Sequence, residues 1–312
     1  MKSEERRPDM RVELCGVPWK NPVTTAAGTF APRESGQFYD IRRLGAVTTK
    51  GVSPRPWEGN PTPRIAETYG GMLNAVGLQN PGVEHYITQE LPDLKSLGVT
   101  VIANMAGHTV EEYREVAEKL GETEVDMLEL NISCPNIRRG GAAFGTDPVL
   151  TAQVVRSVRR ATAKPLIVKL SPNVTDIGEI ARAAEDAGAD CLSLINTLLG
   201  MRIDPRRRCL TLANGTGGLS GPAVKPVALR MVWQVRQAVQ LPIIGMGGIF
   251  TGEDAAEFLM AGADAVAVGT AALVKPTAPA DILEELEAFM AEQGYRNVRE
   301  LREALKGGAF AR

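Results

Sequence analysis

The fold of this chain is decided by apolar runs of one type, represented by Pro165-Leu-Ile-Val-Lys-Leu170 and Pro242-Ile-Ile-Gly-Met246. Continuous aliphatic strands of this kind are typical of a parallel sheet that is covered on both faces. Short apolar runs bounded by glycine, proline or asparagine occur eight times in the chain. They predict strands at Val23–Ala27, Ala46–Lys50, Thr100–Asn104, Asp126–Asn131, Leu166–Leu170, Cys191–Ile195, Ile243–Met246 and Ala265–Gly269.

Helix signals alternate with the later strands. Asp147 and Pro148 are an N-cap and an N1 proline before a helix over Val149–Ala161. The other predicted helices are Asp176–Ala187 opened by Thr175, Pro222–Gln240, and Gly252–Ala261 opened by Thr251. Eight alternating units predict an α/β fold of the (β/α)8 TIM-barrel class, in which functional sites lie at the C-terminal ends of the strands. A doubly wound sheet is the alternative architecture.

Two insertions interrupt the regular alternation, at Gly51–Gly98 and Asn196–Gly221. Loops of that length in a compact domain are usually functional. We expect both to crowd the C-terminal face of the strands. A chain of 312 residues with 44% hydrophobic content is expected to form one domain over residues 1–312.

Composition limits the class of ligand. A net charge of −2 and a pI near 5.9 give no electrostatic footprint for nucleic acid or an anionic membrane. No run approaches the length of a membrane span, and the charged start leads to no apolar segment. The four cysteines are far apart and form no CxxC pair, so no metal site or cysteine-ligated cluster is expected. We therefore expect a cytoplasmic protein with a small-molecule ligand.

Polar residues and glycines collect where the predicted strands end. Two of the ten lysines lie at matching strand ends, Lys50 and Lys169, and asparagines follow several other strands. The glycine turns Gly247–Gly248 and Gly269–Thr270 follow strands seven and eight, the recurrent phosphate site of this fold. No complete GxGxxG fingerprint occurs, which leaves NAD binding by this chain alone unsupported. The pattern indicates a phosphorylated cofactor beside a flat, amide-rich substrate, because asparagine offers a donor and an acceptor.

A thiol lies in the most informative turn, Asn131-Ile-Ser-Cys-Pro-Asn136. An ordinary thiol has a pKa of about 8.5 and is a candidate general base. Cys134 is the predicted base, and Cys191, inside a strand, is the better candidate for a structural thiol. His108, which follows strand three, is a less favoured alternative base.

Seven segments together resemble the FMN-containing dihydroorotate dehydrogenases of class 1, and class 1B most. They are 131–136, Asn74-Ala-Val-Gly-Leu-Gln-Asn-Pro-Gly82, Gly140-Gly-Ala-Ala-Phe-Gly-Thr-Asp147, Lys169-Leu-Ser-Pro-Asn-Val-Thr-Asp176, Ile195-Asn-Thr197, Gly217-Gly-Leu-Ser-Gly-Pro222 and Ile244-Gly-Met-Gly-Gly248. The resemblance runs from about residue 11 to the C-terminus.

The resemblance implies a role for each matching residue. Cys134 would remove the C5 proton of dihydroorotate while hydride leaves C6 for the flavin. The residues 137–143 resemble a mobile lid. Substrate would be bound by Lys50, Asn74, Ala75, Val76, Gly77, Leu78, Asn131, Asn196 and Thr197. FMN would be contacted by Ala27, Gly28, Lys50, Gly51, Asn104, Asn131, Lys169, Ile195, Gly221, Gly247, Gly248, Gly269 and Thr270, with Ala27 standing where many relatives have serine.

Class 1B also implies partners. A separate subunit with FAD and a [2Fe-2S] cluster would pass electrons to NAD, in a heterotetramer built on a homodimer of this chain. Three alternatives stay open: a class 1A enzyme that reduces fumarate, another FMN barrel acting on a dihydropyrimidine, and a flavin-binding scaffold without activity.

Overall fold

Eight parallel strands form the centre of the computed structural model, which describes residues 7–133 and 144–305. Each strand pairs with the next along the chain from β2 to β8, and β8 pairs with β1. All eight predicted strands are confirmed; Ile243–Met246 agrees at both ends, and the other seven differ by one or two residues at one or both ends. Their bounds are Val23–Thr25 (β1), Val47–Thr48 (β2), Val101–Met105 (β3), Met127–Asn131 (β4), Leu166–Lys169 (β5), Cys191–Leu194 (β6), Ile243–Met246 (β7) and Ala265–Val268 (β8).

Side-chain hydrogen bonds join β1 to β2 and close the sheet. The backbone N–H of Thr48 donates to Oγ1 of Thr25 at 2.9 Å, and the same hydroxyl donates to the Thr48 carbonyl at 3.0 Å. Nearby, the Gly45 N–H donates to the carbonyl of Val23 at 2.9 Å. The Thr25 hydroxyl thus takes the place of some backbone hydrogen bonds between β1 and β2. With this contact the eight strands form the predicted (β/α)8 barrel.

Alternate residues of each strand face the helices and the barrel interior. In β4, Leu128 and Leu130 belong to the core beneath the helices, whereas Met127 packs inside the barrel with Leu14 and Trp19. Those last two residues come from the hairpin of Val12–Leu14 and Val17–Trp19, which packs its buried side chains against the interior cluster. Glu129 and Asn131 lie two and four residues after Met127. Because alternate residues of a strand point to the same side, both also point into the barrel.

Helices follow the strands as predicted, and one N-cap residue differs from the prediction. Asp147 accepts from the Leu150 N–H at 2.9 Å, and Thr251 forms a capping box with Asp254. The helix predicted to open at Thr175 is capped by Asp176, whose carboxylate accepts from two N–H groups of the first turn. The α-helices are Pro32–Ser35, Val83–His85, Leu91–Ser96, Val110–Gly121, Pro148–Ala161, Ile177–Asp186, Lys225–Ala238, Gly252–Met260, Thr270–Val274, Ala278–Glu292 and Val298–Arg302; 3₁₀ turns cover Ile41–Arg43, Phe144–Thr146 and Pro222–Val224, and a π-helical segment covers Tyr86–Glu90.

The two insertions form one antiparallel sheet at the barrel rim, called the rim sheet below. Its strands, in spatial order, are Leu198–Met201, Thr216–Ser220, Gly71–Asn74 and Ile65–Thr68. Asn74 of the first insertion is in register with Gly218 of the second. A separate hairpin pairs Ile203–Asp204 with Cys209–Leu210. The expectation that both insertions meet at one face is confirmed, while the single-domain organisation of residues 1–312 stays a prediction.

Candidate active site

A cavity of about 330 Å³ opens between the C-terminal ends of the barrel strands and the rim sheet. Its volume is that of a small-molecule site. The structure brings almost all predicted site residues to its walls. They are Ala27, Gly28, Lys50, Gly51, Asn74, Ala75, Val76, Gly77, Leu78, Asn104, Asn131, Lys169, Ile195, Asn196, Thr197, Gly247, Gly248, Gly269 and Thr270.

Two predicted residues are not among these. Cys134 and the predicted lid 137–143 lie outside the described residues, so the predicted base stays a prediction; Ser133, directly before it, lines the cavity. Gly221 is not among the residues that line the cavity. Its φ is +103°, and a Cβ there would lie 2.6 Å from the Cα of Gly71, so close backbone packing accounts for this glycine.

Lys50 supplies an unpaired cation to the cavity. It follows β2, and its side chain lies near Gly28, where a Cβ would be 3.7 Å from Nζ. Burial lowers the pKa of the Lys50 ammonium below its ordinary value. No carboxylate of the described residues forms an ion pair with it. A half-buried ammonium without a partner among these residues favours an anionic ligand, because a bound negative charge would compensate its desolvation.

Amide side chains from β4, β6 and the rim sheet surround the same space. Nδ2 of Asn196 donates to Oδ1 of Asn131 at 3.1 Å, and Oδ1 of Asn196 accepts from the Thr197 N–H at 2.8 Å. Asn74 lies across the rim sheet, with Nδ2 3.5 Å from the carbonyl of Gly218. The amides are thereby held in place before any ligand binds, which suits recognition of a polar, planar molecule.

A charged network lies inside the barrel below these amides. Glu129 accepts from Nδ2 of Asn104 at 2.5 Å and from Oγ of Ser193 at 2.7 Å. Nζ of Lys169 lies 3.9 Å from the same carboxylate. Glu129 and Ser193 were not among the predicted site residues. Both could have been found in the sequence as polar residues within an otherwise apolar strand. Glu129 is also two residues before Asn131, so the two side chains point to the same side of β4.

The loops after β7 and β8 bring backbone to the cavity at close range. Gly247 and Gly248 have φ values of +124° and +82°. A Cβ on Gly247 would lie 2.8 Å from the Cβ of Ala228, and one on Gly248 would lie 2.9 Å from the Gly221 carbonyl oxygen. Across the cavity mouth, Oγ1 of Thr270 donates to Oγ of Ser220 at 2.8 Å. At these glycines the cavity wall is therefore formed by peptide groups and not by side chains.

His108 is not positioned as a base. Its ring is exposed and stacks on Trp57 with centroids 4.0 Å apart, and it is not among the residues that line the cavity. Cys191 is fully buried inside the barrel, in agreement with its interpretation as a structural thiol. Within 7–133 and 144–305, no helix is long and apolar enough to cross a bilayer.

A closed (β/α)8 barrel with lysines, amides and glycine turns converging at its C-terminal mouth defines an enzyme-type barrel with a site for a polar, anionic small molecule. Comparison with known proteins gives the particular family. The model of the dihydroorotate dehydrogenase family matches residues 9–290, and the chain belongs to that family. The family is flavin-dependent.

Three relatives illustrate the similarity, and each is named dihydroorotate dehydrogenase B (NAD(+)), catalytic subunit. The protein of Alkaliphilus metalliredigens is 56% identical over 298 residues, which cover 95% of this chain and 99% of the relative. That of Lachnoclostridium phytofermentans is 58% identical over 93% of this chain and 97% of its own length. That of Geobacter sulfurreducens is 54% identical over 96% of this chain and 99% of its own length.

Proposed function

We propose that the chain is the catalytic subunit of a class 1B dihydroorotate dehydrogenase. It oxidises dihydroorotate to orotate in de novo pyrimidine biosynthesis, and the electrons go to NAD through a partner subunit. The observation that carries this proposal is the half-buried ammonium of Lys50, which forms no ion pair with the described residues, in a cavity that also presents the amides of Asn74, Asn131 and Asn196. Dihydroorotate offers the complementary groups, a carboxylate and a cyclic imide. The names of the close relatives agree with this substrate and acceptor.

The residues around the cavity also fit FMN. Oδ1 of Asn104 is buried and has no hydrogen-bond partner in the part of the chain that the structure describes, and a ring N–H would satisfy it. Among the described residues, Glu129 is the one countercharge near Nζ of Lys169. The turns at Gly247–Gly248 and Gly269–Thr270 present backbone where a phosphate group would be held. Gly221 stays a predicted FMN contact, although it is not among the residues that line the cavity. A flavin bound there would accept the hydride that leaves the substrate.

The chain's own residues would bind the substrate and move one proton. Lys50 holds the carboxylate, and the paired amides of Asn131 and Asn196 orient the ring together with Asn74 and Thr197. Residues 75–78, which follow the rim-sheet strand Gly71–Asn74, line the cavity and exclude water from one side. Cys134 takes the proton from C5, a role that the resemblance supports and that adjacency to Ser133 in the sequence makes reasonable.

The partner is an iron-sulfur flavoprotein with FAD and a [2Fe-2S] cluster, joined to a homodimer of this chain in a heterotetramer. The relatives' designation as a catalytic subunit supports a partner, and the partner's cofactors follow from the class. A cytoplasmic location stays a prediction from composition, which cell fractionation would test.

The test begins with the absorbance spectrum of the purified chain. We expect bound flavin that dihydroorotate bleaches without oxygen, and NAD reduction only after the iron-sulfur flavoprotein is added. A colourless protein that takes up no FMN would exclude the proposed function. Rapid reduction of fumarate by the chain alone would instead favour class 1A, and NAD reduction by the chain alone would exclude the partner.

A further inference from the structure

Glu129 is a carboxylate in the interior of the barrel that the proposed reaction does not use. It is the third residue of β4 and is 2% exposed. Burial of a carboxylate costs free energy unless charged or hydrogen-bonding groups compensate it. The groups that this carboxylate contacts should therefore explain why it is buried.

Both carboxylate oxygens are engaged by neighbouring strands. Oε1 accepts from Oγ of Ser193 on β6 at 2.7 Å, and Oε2 accepts from Nδ2 of Asn104 on β3 at 2.5 Å. Nζ of Lys169 on β5 lies 3.9 Å from Oε2. One side chain of β4 thus connects three other strands directly below the cavity.

The contact to Asn104 decides which end of that amide is left for a ligand. Because Nδ2 donates to Glu129, Oδ1 is the remaining group, and it is buried with no hydrogen-bond partner among the described residues. A Cβ on Gly51 would lie 2.5 Å from Oδ1, so the absence of a side chain there keeps this acceptor clear. Asn104 therefore offers an acceptor, not a donor, at the cavity wall.

The contact to Lys169 sets a charge beside that acceptor. The lysine side chain is 6% exposed, and Glu129 is the carboxylate near it. At 3.9 Å the pair is electrostatic and not a hydrogen bond, so the ammonium hydrogens are not taken up by Glu129. The donors of the lysine are therefore left for a ligand.

We propose that Glu129 is a positioning residue that sets the polarity of the cavity floor. It orients Asn104 so that an acceptor faces the ligand, and it holds the charge of Lys169 beside that acceptor. The ligand that fits this floor is a planar heterocycle with a ring N–H next to an atom that gains negative charge on reduction. This inference rests on the proposed flavin site and adds that the carboxylate tunes how readily the bound flavin is reduced.

Two substitutions separate charge from orientation. Glu129→Gln keeps an acceptor for Asn104 but removes the negative charge near Lys169, so the reduction potential of bound FMN is expected to become more positive. Glu129→Leu removes both acceptors and frees the Asn104 amide to turn, so FMN affinity is expected to fall by about tenfold or more, the scale of a lost hydrogen bond to a charged group. Ser193→Ala removes one anchor without changing the charge and should leave the potential near that of the wild type.

Asp126→Asn is the matched control. Asp126 directly precedes β4 at the opposite end of the barrel, where its carboxylate contacts Lys95 at 2.8 Å and accepts from the Val101 N–H at 2.7 Å. Its loss should lower the thermal stability and leave FMN affinity and potential unchanged. Melting curves of each apo-protein identify variants that fail to fold.

The measurements are FMN binding by fluorescence quenching and potentials by dye-coupled reduction of the full chain. If Glu129→Gln binds FMN with the wild-type potential, Glu129 has only a structural role and the inference is overturned. If wild-type protein binds no FMN, the proposed function fails first, and this inference falls with it. The two failures are therefore distinguished by the wild-type titration.

Discussion

The side chain of Asn196 donates from Nδ2 to Oδ1 of Asn131 at 3.1 Å, across the ends of β6 and β4. Each amide is fixed by a further contact, since Oδ1 of Asn131 also accepts from the Ser133 N–H and Oδ1 of Asn196 accepts from the Thr197 N–H. The orientation of both amides is therefore set by the protein. Nδ2 of Asn131 remains for a ligand.

Asn196→Ala tests this relationship. The substitution removes one ligand amide and releases Asn131 and Thr197, so KM for dihydroorotate should rise by about 10- to 100-fold, which corresponds to the loss of one or two buried hydrogen bonds. Retention of FMN is expected. Asn297→Ala is the control, because Asn297 caps the distant helix Val298–Arg302 by accepting from the Glu300 N–H at 2.9 Å. An equal rise in KM for both variants would contradict a local role.

The barrel could be predicted from sequence because its strands are apolar on both faces. The interval Ile243–Met246 is the same in prediction and structure, and the others differ only at their ends. The rim sheet could not be predicted as a sheet. Its central pairing joins Asn74 to Gly218, far apart in the chain, through glycine-rich segments that have no hydrophobic period.

Some residues of the candidate site could likewise be predicted from the sequence, and others could not. Residues at strand ends, such as Lys50 and Asn196, could be predicted because parallel strands bring their C-terminal ends to one face. Glu129 was missed because it lies in the middle of a strand. The sequence alone does not show whether such a side chain points into the barrel, below the site, or outwards towards the helices. Gly221 stays a predicted ligand contact; close backbone packing against Gly71 also explains a glycine there, because glycine in a turn serves such packing as readily as cofactor binding.

Lys50 should give ligand binding a distinctive pH dependence. Burial lowers the pKa of its ammonium below the ordinary value of 10.5, and a bound carboxylate would raise that pKa again. The affinity for orotate is then fully present below the lowered pKa and is lost as pH rises through it, because binding above it requires uptake of a proton. Titration of orotate against the flavin absorbance at several pH values measures this.

Lys50→Met provides the comparison for that pH profile. We expect weak binding that does not change over the same alkaline range, because the titrating cation is gone. The apo-form of this variant should also unfold with a higher free energy at neutral pH, since a desolvated charge has been removed. Lys275→Met, at an exposed lysine paired with Asp281, should keep the wild-type profile. A wild-type profile in Lys50→Met would assign the pH dependence to another group.

Gly218→Ala tests the contact between the rim sheet and the substrate side of the cavity. An added Cβ would lie 2.1 Å from Oγ1 and 2.6 Å from Cβ of Thr197, so Thr197 would have to move. KM for dihydroorotate should rise by about tenfold or more, comparable to the loss of a buried hydrogen bond, with little change in FMN affinity. Gly200→Ala, in the neighbouring strand, meets only the tip of Leu73 at 3.0 Å and Leu219 Cβ at 3.6 Å. A larger effect in the Gly200 variant would argue against Thr197 as the cause.

Cys134→Ala tests the proposed base, which follows the cavity residue Ser133 in the sequence. Without a group to remove the C5 proton, flavin bleaching by dihydroorotate should slow by about 10²- to 10⁴-fold, while the flavin spectrum and orotate binding persist. Cys134→Ser should recover part of the rate as pH rises, because a hydroxyl loses its proton less readily than a thiol. Cys209→Ala, at an exposed cysteine, is the control and should bleach at the wild-type rate. Stopped-flow absorbance without oxygen measures all three, and rapid bleaching in Cys134→Ala at neutral pH would remove Cys134 from the mechanism.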